Sequence, residues 1–206
     1  MPAAKTDKLD LLKHYKAQYA QPKKPALIET EPAQYLAVTG SGAPGGESFQ
    51  ACINALYSIA YTMKFISKDA GRDYTVCKLE TLYGVEGQTM ADFETLPPEQ
   101  WKWTMLIRVP DFITAKDLKA TQKVLRDKQK EGDFDLVRLE KIDEGRCVQM
   151  LHIGPYDQQC ATVEAMQAFA TQECLTPHMW HHEVYLNDPR RIPPERLKTI
   201  IRLPVK

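Results

Sequence analysis

The sequence predicts an α+β domain made of two tandem strand-helix-strand-strand units related by a pseudo-twofold axis, with antiparallel sheets and a central groove. Three observations carry this. Short motifs recur in the same order in both halves, an amphipathic helix follows a strand at the same place in each half, and a capped helix lies between the halves. Pro97-Pro98-Glu99-Gln100-Trp101-Lys102 recurs 96 residues on as Pro193-Pro194-Glu195-Arg196-Leu197-Lys198, with four of six residues identical. Ile107-Arg108-Val109-Pro110 recurs as Ile201-Arg202-Leu203-Pro204 at a shift of 94, and Gly40 matches Gly154 at 114. Leu79-Glu80-Thr81-Leu82 aligns with His182-Glu183-Val184-Tyr185 at 103, which sets Glu80 and Glu183 at equivalent positions.

In chain order, residues 1–25 form an N-terminal extension with a short amphipathic helix that Thr6-Asp7 can cap and that ends before Pro22. Residues 26–112 form the first copy. Its strand is centred on Tyr35-Leu36-Ala37-Val38, and its helix carries Phe49, Cys52, Ile53, Leu56, Ile59, Ala60 and Met63 at helical spacing with Ser48 as cap. Two strands follow, Tyr74 to Tyr83 and Trp101 to Val109. Residues 113–132 are a connector with a helix from Thr114 that ends before Gly132, and residues 133–206 are the second copy. The Gly40–Gly46 stretch has no phosphate-loop spacing and reads as a turn.

Composition narrows the function classes. Hydrophobic residues make up 43% of the 206 and charged residues 26%, as in a folded domain. Basic and acidic residues number 27 each, so the positive footprint of a nucleic-acid binder is missing. Five scattered cysteines without a C-x-x-C pair suit reduced thiols, and the chain has neither an apolar signal core nor a run long enough to span a bilayer. These features lead us to expect a cytoplasmic protein with no cofactor and no partner among membranes or nucleic acids; oligomeric state is left open.

The residues that could carry chemistry cluster on the predicted strands. Glu80 and Glu183 each interrupt an apolar strand, where a carboxylate is costly unless it is paired, or else lies on a solvated face. Alternation places His181, Glu183 and Tyr185 on one face and His182 and Val184 on the other. Trp101 and Trp103 share a face, and with Trp180, Tyr83 and Phe112 they offer rings either for an aromatic pocket or for the core. Such a pocket beside a carboxylate suits a flat or cationic organic ligand. The histidines of His178-Met179-Trp180-His181-His182 do not make a metal site, because neighbours on a strand point to opposite faces.

His152-Ile153-Gly154-Pro155-Tyr156, His181-His182-Glu183-Val184-Tyr185-Leu186-Asn187-Asp188-Pro189-Arg190 and Pro194-Glu195-Arg196-Leu197-Lys198-Thr199 closing on Ile201-Arg202-Leu203-Pro204-Val205 together resemble the GyrI-like small-molecule-binding family. The likeness spans nearly all of the chain after residue 25. It implies a duplicated SHS2-type unit, a central ligand groove and an acidic residue at its floor, which falls on Glu183. In many members the domain is the drug-sensing half of a transcription regulator. Only about 25 residues precede the first strand here, too few for a DNA-binding domain, so the chain resembles the stand-alone class.

Some stand-alone members resemble hydrolases of cyclopropane-bearing DNA-alkylating toxins. That resemblance implies a role for Trp103, Trp180 and Tyr185 in holding a flat toxin. Glu183 would orient or deprotonate a water, and Tyr185 would either help to hold the toxin or instead donate a hydrogen bond to the oxygen that gains charge as the ring opens. Tyr83, Glu80, Trp101, Phe112 and His181 complete the candidate ligand-binding set. A drug-binding sponge or sensor without turnover, and a gyrase-interacting protein, remain as alternatives.

Overall fold

The structure is a computed structural model, described for residues 8–84, 96–178 and 180–206. The expected helix start at Thr6-Asp7 lies outside these residues. A single helical turn, α1 (Leu11–His14), is capped by the Asp10 side chain. The first strand of the first copy, expected around Tyr35–Val38, is β2 (Ala33–Ser41), and a separate strand β1 (Ala26–Glu29) precedes it, with Pro32 interrupting the ladder between them.

The remaining elements follow in chain order. After β2 come α2 (Glu47–Asp69), β3 (Leu79–Gly84) and β4 (Lys102–Arg108). The connector is α3 (Ala115–Asp127), whose Thr114 and Asp117 bond reciprocally across the first turn. Then follow β5 (Arg138–Ile142), β6 (Arg146–Ile153), α4 (Cys160–Gln172), β7 (His181–Tyr185) and β8 (Lys198–Pro204). Helix α2 has Gly46 rather than Ser48 at its cap position and so has no side-chain cap; Gly42 and Gly45 make the preceding turn at φ of 104° and 89°. Among the described residues no helix is long and apolar enough to cross a membrane.

All strands join one antiparallel sheet in the order β1-β6-β8-β7-β3-β4-β2-β5. Its register agrees with two of the sequence shifts. Val38 pairs with Met105, and the residues 114 and 94 further on, His152 and Thr199, pair with each other. The shift of 103 between β3 and β7 is corrected by one residue, to 104. Leu79 pairs with Ile107, and 94 residues beyond Ile107 is Ile201, whose partner on β7 is Glu183. Leu79, not Glu80, therefore occupies the position of Glu183. A one-residue change in register reverses the face, so Glu80 and Glu183 point away from each other.

One face of the sheet carries the helices. Phe49, Leu56, Ile59 and Met63 of α2 pack on Leu36, Val38, Met105 and Ile107 of β2 and β4. Val163, Met166 and Ala170 of α4 pack on Val148 of β6 and on Ile201 and Leu203 of β8. Burial of each large side chain contributes roughly 1.5–3 kcal/mol. The central pair β3–β7 lies between the two helix-covered areas.

The other face is concave. In a flat sheet β5 and β6 would be about 29 Å apart, at about 4.8 Å per strand. Only residues 143–145 join them, a reach of at most about 14 Å, so the sheet must curl. Glu144 of this connection touches β7 and β8 from within the curl.

Candidate functional site

Cross-strand pairing assembles a candidate site on the helix face of β3 and β7. Thr81 lies opposite Glu183, and Tyr83 opposite His181. Glu183 is buried, and both its carboxylate oxygens are engaged. Oε1 is 3.1 Å from His181 Nε2, and Oε2 accepts from Gln159 Nε2 at 3.3 Å. Gln159 immediately precedes α4, so the second helix reaches down to the carboxylate.

Aromatic rings surround this floor. The Tyr83 and Tyr185 hydroxyls are 2.9 Å apart, and Tyr156 meets Tyr185 edge to face at a centroid distance of 5.5 Å. Trp101 meets Tyr83 edge to face at 6.1 Å. Burial, the Glu183 carboxylate and Tyr83 together push the Tyr185 phenol well above the usual tyrosine range. Burial and Glu183 push Tyr83 up as well, and Tyr156 to about 12. All three phenols are therefore neutral donors at neutral pH. The arrangement offers a fixed carboxylate and imidazole beside phenol rings that could pack on a flat ligand and donate hydrogen bonds to it.

The concave face holds a separate network of buried charges. His182 Nδ1 is 2.8 Å from Glu144 Oε1, and its Nε2 is 3.0 Å from Glu80 Oε2, the second contact lying off the direction of an N–H bond. Arg202 donates to Glu144 at 2.6 Å, to Gln149 at 2.9 Å and to the Gln18 carbonyl at 2.8 Å. Tyr19 donates to Glu80 Oε1 at 2.9 Å, and Arg108 donates to Gln18 Oε1 at 3.0 Å. These contacts fasten residues 18–20 and the 143–145 connection across the curl.

Of the residues singled out in the sequence, Glu183, Tyr185, Tyr83 and His181 come together on the helix face of β3 and β7, with Trp101 against Tyr83. Trp103 shares their face but is 1% exposed, packed against Phe49 and over Gly40, with Nε1 donating to the Gly42 carbonyl. Trp180 lies on the concave side, seated over Gly84 and against the cluster of Tyr35, Leu82 and Leu106. Glu80 is on that side too, and Phe112 packs on Tyr74 and under Arg72 beyond the end of β4. Tyr156 and Gln159 were not singled out as site residues. Their one signal was the Gly154-Pro155-Tyr156 motif ahead of α4.

The model of the GyrI-like small molecule binding domain matches residues 117–206. Among solved structures, an uncharacterized conserved protein from Listeria innocua is similar with a TM-score of 0.88 and 38% identity, over 97% of this chain and 100% of its own. A second Listeria innocua protein, described as a hydrolase, gives 0.85 and 37% over the same shares. The EcmrR C-terminal domain shares the fold alone, with a TM-score of 0.57 and 15% identity over 89% of this chain and 97% of that one. No curated protein matches the chain.

Proposed function

The chain belongs to the GyrI-like small-molecule-binding family, and from that premise we propose that its groove binds flat hydrophobic or cationic xenobiotics and opens the cyclopropane ring of DNA-alkylating toxins by hydrolysis. The observation that carries the reading is the Glu183 carboxylate, held by His181 and Gln159 beneath Tyr83, Tyr185 and Tyr156. The 37% identical neighbour described as a hydrolase supports turnover over binding alone.

The chemistry requires an activated water and an acceptor for developing charge. The water oxygen bonds to the strained methylene carbon while a ring carbon–carbon bond breaks and its electron pair moves to a conjugated oxygen. A Tyr185 phenol, kept protonated by burial and Glu183, donates a hydrogen bond to that oxygen. Glu183 orients the water or takes its proton. Trp103 and Trp180 act from the core and the concave face by fixing the strands, rather than as walls of the cage.

Incubation with a cyclopropane-bearing toxin, followed by mass spectrometry for the product one water heavier, tests this. Wild-type protein is expected to exceed buffer, and Glu183→Gln to keep binding but lose about a hundredfold or more in turnover. Tight binding without product would leave a sponge or sensor.

A further inference from the structure

His181 has one nitrogen accounted for and one that is not. Nε2 lies 3.1 Å from Glu183 Oε1, whereas Nδ1 is buried and has no hydrogen-bond partner among the described residues. The side chain is on the groove face, since it pairs across β3–β7 with Tyr83, and it is 4% exposed.

A carboxylate can only accept, so a neutral imidazole beside Glu183 must carry its proton on Nε2. Nδ1 then holds a lone pair with no donor, in a position cut off from bulk water. Buried polar atoms in folded proteins are almost always paired, and an unpaired one calls for a group that arrives from outside. Each oxygen of Glu183 meanwhile takes one hydrogen-bond contact, from His181 and from Gln159. The carboxylate is thus placed to orient the imidazole, and Nδ1 is a basic atom on the same face with no hydrogen bond of its own.

We propose that His181 is the general base of the groove, accepting the proton of the attacking water at Nδ1 while Glu183 fixes its tautomer through Nε2. The inference rests on the hydrolase reading for its reaction. The water O–H bond breaks and its proton moves to Nδ1. The oxygen bonds to the methylene carbon, the ring carbon–carbon bond breaks, and its electron pair passes to the conjugated oxygen. The imidazolium, whose charge Glu183 balances, then yields its proton to that oxygen, by way of solvent, and both atoms and charge close on the addition of one water.

Two measurements on the full chain test this. Nitrogen-15 NMR of histidine-labelled protein at neutral pH is expected to show Nε2 protonated and Nδ1 unprotonated, with the Nδ1–H form gaining population in Glu183→Gln. A protonated Nδ1 in the neutral wild-type ring would overturn the proposal. His181→Gln retains an amide N–H for Glu183 but has no basic nitrogen. It is expected to bind the cyclopropane-bearing toxin within a few-fold of wild type and to lose about a hundredfold or more in turnover. Turnover within a few-fold of wild type would return the base to Glu183 and overturn the proposal. Should the wild type itself show no turnover, the hydrolase reading falls, and with it His181 as base, even if the nitrogen shifts show the tautomer expected here.

Discussion

His182 holds Nδ1 2.8 Å from a Glu144 carboxylate oxygen on the concave face of the sheet, immediately behind Glu183. Its other ring nitrogen faces Glu80 at 3.0 Å, so the imidazole stands between two carboxylates. Burial opposes the charged ring, but Glu144 and Glu80 outweigh it and raise His182 to about 9. Burial also opposes the Glu144 charge, and His182 and Arg202 outweigh it and bring that carboxyl down to about 2. Adjacent residues of β7 thus serve two sides of the sheet, one on the helix face and one in a buried charge network.

This network gives stability a defined pH dependence. His182 is raised above its unfolded value of about 6.5, so its contribution is complete below that pH and disappears as pH rises through about 9. Glu144 is depressed, so its contribution is complete above its usual 4.5 and disappears as pH falls towards about 2. Urea midpoints are expected to be highest between about pH 4.5 and 6.5 and to fall on both sides. A midpoint that keeps rising from pH 7 to 9 would contradict the ion pair.

Loss of Glu144 takes the carboxylate from Arg202 and leaves His182 only Glu80. For Glu144→Ala the expected cost is about 3–5 kcal/mol of unfolding free energy, read by urea titration. A cost under about 1 kcal/mol would show that water or another group replaces the carboxylate.

Two glycines are required by indoles. A Cβ on Gly40 would lie 2.1 Å from Trp103 Cη2, and one on Gly84 would lie 2.4 Å from Trp180 Cγ. Gly40→Ala is therefore expected to destabilise by about 1–3 kcal/mol, with part regained in Gly40→Ala/Trp103→Leu. Thermal melts of these two variants and of Trp103→Leu measure this, and an unchanged midpoint for Gly40→Ala would mean that the indole has room to move.

Removal of the Tyr185 hydroxyl tests the hydrogen-bond donor. Tyr185→Phe keeps the ring against Tyr156 but loses the bond to Tyr83, and its expected effect is a fall in turnover of about tenfold to a hundredfold with ligand affinity nearly kept. Equal loss of both in steady-state assays would make the hydroxyl a binding contact only.

The sequence was informative where a motif occurs twice and ambiguous where it does not. Ile107-Arg108-Val109-Pro110 and its counterpart aligned β4 with β8, and Gly40 with Gly154 aligned β2 with β6, as the ladders have it. Between β3 and β7 the matching glutamates drew the alignment one residue out of register, which sufficed to put Glu80 on the wrong face. Parity did bring His181, Glu183 and Tyr185 together. The concave network was hidden because Glu144 and Arg202 resemble ordinary surface charges until a curled sheet encloses them. Gln159 stands in a turn, where no periodicity indicates which way a side chain points.

The structure of the protein with a flat hydrophobic or cationic ligand bound tests the central claim most directly. The ligand is expected between α2 and α4, over β3 and β7, against Tyr83, Tyr185, Tyr156 and the Glu183–His181 pair. A ligand seated instead in the depression between α2 and α3, beside Tyr57, Tyr61 and Lys130, with the groove closed over Glu183, would contradict it.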